Sequence, residues 1–259
     1  MKTAVFFMLS FCLFSLKSIA QEEMVLDTFE AMNYTSETGG ILPYRLLKPK
    51  DYNPEKKYPL VVFLHGSGER GNDNKAQLKH AVKSFLNEEI RDKYPAFVLA
   101  PQCPKDDRWS VFKEGDPAER FWLSETPSET MKLLLELIDY TKETYSIDER
   151  RLYATGLSMG GHGTYDMLLR NPGMFAAAVV VCSFIDVREA SILAETPLWI
   201  FHGEEDQVVP VDHARVLVNA LEMVGGKPKY TEYPATNHNS WEQAFAEDKM
   251  YSWLFKRKL

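Results

Sequence analysis

The chain has 259 residues, with 30 lysine and arginine side chains against 37 aspartate and glutamate, a formal net charge of −7. That balance argues against a nucleic-acid partner, which wants basic stripes. Three cysteines in a chain of this length exclude a disulfide scaffold, and no C-x-x-C pair or H-E-x-x-H run offers a metal or redox motif, so no cofactor or metal is expected.

Met1-Lys2 gives a short positive end, residues 4–16 are almost wholly apolar, and Ser18-Ile19-Ala20 has the small-x-small form of a cleavage site. Residues 1–20 therefore read as a secretory signal peptide, with Gln21 the first mature residue and export to the periplasm or the medium. The run is short for a membrane span, which needs about 20 apolar residues. No later segment qualifies, so residues 21–259 are expected as one soluble α/β domain. Cys103 and Cys182 each follow an expected strand. Two readings stay open for them, buried small hydrophobes or one disulfide formed on export.

Strands are expected at Glu30–Thr35 and Ile41–Leu47, then a polar surface connection over 49–59. Residues 60–64 form a continuous apolar run that suits a parallel strand covered on both faces. The glycine-rich segment 65–71 follows, and residues 78–90 carry a helical apolar pattern. Residues 96–100 are the next strand, stopped by Pro101. Segment 102–127 is a long insertion holding Trp109, Phe112, Phe121 and Trp122, longer than ordinary connections. A helix capped by Ser128 is expected to Thr144. Residues 152–154 lead into a turn, and a helix over 160–170 ends before Pro172. Strands follow at 175–181 and 197–201, then a helix over 212–224 closed by Gly225-Gly226. Lys229–Tyr233 is the last strand, and 241–255 the last helix. The alternation predicts a mostly parallel sheet with helices on both faces.

Gly156-Leu157-Ser158-Met159-Gly160 is a G-x-S-x-G nucleophile elbow, set between a strand and a small-residue helix. Functional groups in open parallel sheets gather beyond the strands' C-terminal ends. Asp206 lies five residues after Phe201 and His238 five after Tyr233, so Ser158, Asp206 and His238 stand in the order of an α/β-hydrolase triad. A serine hydroxyl is a poor nucleophile at neutral pH. His238 would take its proton, and Asp206 would hold the imidazole in the needed tautomer. The main-chain N–H groups of Met159 and Ser67 are candidates for the oxyanion hole. Glu204, Glu205 and Asp186 are competing carboxylates. His65 is expected to shape the oxyanion loop and His202 to pack beneath the site, while His80 and His213 read as ordinary helix histidines and His162 is left open. Trp109, Trp122 and Trp241 are candidate substrate walls, with plain packing as the alternative. The glycine-rich loop lacks both the P-loop pattern and the dinucleotide spacing.

These motifs are similar to those of the α/β-hydrolase superfamily. More narrowly, the mature chain resembles the secreted bacterial esterases and predicted peptidases of the phospholipase/carboxylesterase-like group, relatives of polyhydroxybutyrate-depolymerase-like and feruloyl-esterase-like enzymes. The resemblance rests on residues 58–71, on 156–161, and on His202-Gly203-Glu204-Glu205-Asp206 with Val209-Pro210. It implies a central sheet of about eight strands without a large lid domain. It places the nucleophile at Ser158, the acid at Asp206, the base at His238 and an oxyanion donor at Ser67, with Glu69 and Arg70 paired to hold that loop. The implied activity is hydrolysis of small or polysaccharide-linked acyl esters, including hydroxycinnamoyl esters. The alternatives are a serine peptidase or amidase of the same fold, and an inactive scaffold that only binds.

Overall fold

The computed structural model describes Val25 and residues 27–113 and 121–259. The expected leader, residues 1–20, lies outside them. Eight strands make one sheet in the order β1-β2-β4-β3-β5-β6-β7-β8. They are β1 (Glu30–Thr35), β2 (Ile41–Leu47), β3 (Tyr58–Leu64), β4 (Phe97–Pro101), β5 (Ile147–Leu157), β6 (Ala177–Val181), β7 (Leu198–Gly203) and β8 (Lys229–Tyr233). β1 and β2 are antiparallel, and every pairing from β4 across to β8 is parallel.

Every residue of β3, β4, β6 and β7 is buried, which explains why these strands read as unbroken apolar runs. Alternate residues feed two cores. Leu60, Val62, Leu64, Val180 and Ile200 face the helices α2 (Glu129–Thr144), α3 (Met159–Arg170) and α5 (Asp212–Met223). Val61, Phe63, Val179 and Phe201 face the segment before β4 and the C-terminal helix α7 (Asp248–Phe255). Full burial of such side chains stabilises by about 1.5–3 kcal/mol each. Shorter helices are α1 (Glu88–Lys93), α4 (Ala190–Leu193) and α6 (Trp241–Ala244). None of the helices of the described residues is long and apolar enough to cross a membrane.

Two expected helices are broken. Residues 78–90 form 3-10 turns at Ala76–Leu78 and Ala81–Leu86 before α1. Ala81 takes φ 34°, and the Asn87 side chain caps a new helix by accepting from the Glu89 and Ile90 amides. His80 is thus in a bend between turns and not on a helix. Residues 241–255 divide into α6 and α7. The Phe245 carbonyl accepts from the Tyr251 hydroxyl at 2.9 Å, and the Phe245 ring packs against Phe63 and Phe85. Cys103 and Cys182 are free thiols, both buried.

Candidate active site

β5 runs straight into the elbow. Ser158 adopts φ 52°, ψ −121°, and α3 begins at the next residue. The Ser158 amide donates to the Val181 carbonyl at 2.9 Å, and its own carbonyl accepts from Gly161 at 2.9 Å and His162 at 3.2 Å. The turn needs glycines because helix and strand nearly touch. A Cβ on Gly156 would lie 2.3 Å from the Gly160 carbonyl oxygen, and one on Gly160 would lie 2.0 Å from that of Leu64. Left-handed backbone at a non-glycine residue costs about 1–3 kcal/mol and persists only where its surroundings impose it.

β7 ends at Gly203, where a Cβ would meet the Thr236 carbonyl oxygen at 2.3 Å. This close approach knits the acid loop to the loop after β8. The Glu205 amide donates to Thr236 at 3.0 Å. The Asn237 carboxamide oxygen accepts from the Gln207 and His238 amides at 3.1 and 2.8 Å. Asp206 Oδ1 accepts from the Val208 and Val209 amides, both at 2.8 Å. Asp206 Oδ2 lies 2.7 Å from His238 Nδ1 and 3.3 Å from His202 Nε2. Burial alone would raise the Asp206 carboxyl. The donors from His202, His238, Val209 and Val208 outweigh it and hold the group well below the usual carboxylate range. His238 Nε2 is 2.9 Å from Ser158 Oγ. With Nδ1–H donated to a carboxylate, Nε2 is left as the acceptor for the serine proton.

Glu204 and Glu205 point to solvent, while Asp186 binds the Arg188 guanidinium and caps the turn that follows it. Of these carboxylates it is Asp206 that meets His238, at 2.7 Å.

Ser67 opens a 3-10 turn, Ser67–Glu69, just past β3. Met159 is the first residue of α3, where a helix leaves its N–H groups without intrahelical acceptors. The close approach of Gly160 to the Leu64 and His65 carbonyls brings the two segments side by side. His65 braces the loop. Its Nδ1 bonds the Gly66 carbonyl at 2.7 Å, its Nε2 accepts from the Cys103 amide at 3.0 Å, and its carbonyl accepts from Trp109 Nε1 at 3.0 Å. Burial pushes the His65 imidazole down to about 4. Glu69 and Arg70 hold the loop separately instead of pairing. Glu69 is buried 3.5 Å from His80, while Arg70 donates to the Ser67 and Asp107 carbonyls.

The three tryptophans part company. Trp109 is 0% exposed and packs under the His65 loop against Gly163, so it presents no surface to a substrate. Trp122 is half-buried with the Arg188 guanidinium 3.4 Å over its ring. Trp241 stands edge-on to His238, ring centroids 5.6 Å apart at 89°. The sequence reading missed a ring cluster beside the elbow. His162, one helical turn past Ser158, packs on Phe184 at 4.1 Å and Phe112 at 5.5 Å. Phe121 and His213 join through Phe184. Burial, with His238 and His213 nearby, pushes the His162 imidazole down to about 3. The aromatic density of the insertion was the available signal, but the partner rings come from α3, α5 and the segment after β6.

The model of the esterase family, described as "Putative esterase", matches residues 35–244. The chain belongs to this family. The esterase is also similar to a thermostable esterase of known crystal structure, with 39% identity and a TM-score of 0.83 over 91% of this chain and 64% of that one. It thus spans a little under two thirds of that relative's length. It is 25% identical to Lysophospholipase-like protein 1 of Mus musculus over 76% of this chain and 86% of that protein. It is 26% identical to "Probable feruloyl esterase C" of Aspergillus flavus over 78% and 73%. The esterase is accordingly a carboxylic ester hydrolase of the serine-hydrolase type on an α/β-hydrolase sheet.

Proposed function

We propose that the chain hydrolyses carboxylic esters through Ser158, His238 and Asp206, with the Met159 and Ser67 amides receiving the oxyanion. The reading is carried by one observation, the unbroken line from Ser158 Oγ to His238 Nε2 at 2.9 Å and from His238 Nδ1 to Asp206 at 2.7 Å. Ser158 Oγ attacks the ester carbonyl as His238 Nε2 takes its proton. The tetrahedral intermediate collapses, the alcohol leaves with that proton, and an acyl-serine remains. Water then attacks the acyl-serine as His238 takes its proton. The second tetrahedral intermediate breaks its bond to Ser158 Oγ, which recovers the proton from His238 as the carboxylic acid leaves. Asp206 stays ionised throughout, stabilising the imidazolium.

The acyl group lies on the side of His162, Phe112, Phe121 and Phe184, whose rings suit a flat or branched apolar acyl group. Among the described residues no lid domain covers the sheet, which suits a bulky alcohol. That combination favours acyl and hydroxycinnamoyl esters borne on carbohydrate, and the name of the Aspergillus relative carries the feruloyl ester. An exported catalyst starting at Gln21 fits a polymer-bound substrate.

Labelling with a fluorophosphonate probe tests the triad. Labelling of the parent that vanishes in Ser158→Ala is expected, and a folded parent that resists the probe overturns the reading. Parallel assays on short acyl, hydroxycinnamoyl, acetylated-sugar and peptide substrates test the substrate class. A larger kcat/KM on peptides than on every ester would replace it with amide hydrolysis.

A further inference from the structure

His202 is a fully buried imidazole at the end of β7 that the steps of ester hydrolysis leave unused. Its Nε2 lies 2.8 Å from the Val209 carbonyl oxygen. A carbonyl only accepts, so Nε2 carries the proton. The same Nε2 is 3.3 Å from Asp206 Oδ2, the oxygen that faces His238. Nδ1, on the other side of the ring, is buried without a hydrogen-bond partner among the described residues.

We propose that His202 is a positioning residue for ester hydrolysis, whose Nε2–H, anchored on the Val209 carbonyl, restrains Asp206 Oδ2 for His238. The proposal rests on the triad reading above. The restraint keeps that oxygen facing His238 Nδ1 as the imidazolium forms during attack. The Val209 carbonyl makes this restraint part of the acid loop, because the Val209 amide binds Asp206 Oδ1 from the same residue. Asp206 is thereby held at both oxygens by the end of β7 and its own loop.

The other titratable groups around the pair are accounted for. Glu232 of β8 feels His202, and is held by Arg215 and Tyr230. The Cys182 thiol, next to Asp206 from the end of β6, is pushed up by burial and stays neutral. His162 of α3 and His213 of α5 lie beyond His238 and not against Asp206.

The test compares His202→Phe and His202→Gln with the parent on a soluble nitrophenyl ester across pH. In His202→Phe, kcat is expected to fall about tenfold, the rate equivalent of one charge-assisted hydrogen bond, with KM little changed. The acid limb of the profile should move to higher pH, because a carboxylate with fewer donors holds the imidazolium harder. His202→Gln, whose amide N–H is the nearest replacement donor, should recover most of both. Equal, pH-independent losses in the two variants would reduce His202 to packing and overturn the proposal. Nitrogen NMR of the folded parent gives an answer even where the variants fail to fold. A proton on Nε2 is expected, and a ring protonated on Nδ1 alone overturns the proposal. Probe labelling of the parent separates the two failures, since an unlabelled parent sinks the triad itself.

Discussion

The elbow and the aromatic insertion meet at the same end of the sheet and are held by opposite means. The elbow is fixed by main chain. Its serine amide bonds the neighbouring strand, and its glycines sit where any Cβ would strike a carbonyl. The described part of the insertion is fixed by side chains. Trp109 Nε1 bonds the His65 carbonyl, and Ser128 Oγ donates to the Trp109 carbonyl. Asp107 accepts from the Thr130 amide and hydroxyl, and the Arg170 guanidinium donates to the carbonyls of Ser124 and Glu125. The first kind of restraint fails at a single added methyl, whereas the second shares its load among many groups.

The sharpest break of this contrast is chemical. Ser158→Ala should lower kcat by about 10⁴- to 10⁶-fold while leaving thermal melting unchanged or higher. A variant that keeps more than a hundredth of the parent rate would remove Ser158 from the chemistry. Gly160→Ala comes next. Its methyl meets the Leu64 carbonyl, and a loss of at least about 3 kcal/mol in urea unfolding is expected. A loss below about 1 kcal/mol would show that the elbow has slack that the contacts deny.

In the insertion, Trp109→Phe keeps most of the volume but strips the His65 carbonyl of its donor, costing about 1–3 kcal/mol. Trp122→Ala, which gives up the Arg188 and Lys113 cations over its ring, should cost about 0.5–1 kcal/mol and show itself in KM before kcat. Reversal of that order in denaturant titrations would mean that the insertion hangs from its exposed side.

The smallest effect is in pH. His65 and His162 are held neutral, at about 4 and about 3, by burial, against about 6.5 in an unfolded chain. Between those values the unfolded chain binds more protons, so stability falls as pH drops from about 6.5 towards 4. The depressed Asp206 carboxyl adds its own loss only below about 3.9. Melting curves over that range should show the decline, shallower in His162→Phe and not abolished, since His65 remains. An unchanged slope in the variant would mean that His162 is charged in the fold.

What the residues announce in advance follows the same division. The parallel strands were legible because burial on both faces leaves a run such as Leu60-Val61-Val62-Phe63-Leu64 without polar interruptions. The elbow was legible because steric limits on the backbone write themselves as glycines at fixed spacing. Ser128 was legible as a cap, and it does accept from the Met131 amide. The broken helices were not. Their apolar periodicity is real, but the breaks go with side-chain contacts that periodicity does not show: the Tyr251 hydroxyl on the Phe245 carbonyl six residues back, and the more distant Glu69 and Trp241 around His80. Trp109 was ambiguous for the same reason, since only the assembled fold shows that its indole supports the His65 loop from beneath. The ring cluster at His162 draws on four separated segments, and only the aromatic density of the insertion hints at it locally.

The left-handed backbone at Ser158 puts durability and activity in opposition at one position. Glycine would relax there and serine cannot, so a screen that rewards only heat resistance will drift toward an inert chain. Variants of this esterase chosen for ruggedness therefore need turnover measured in the same round of selection.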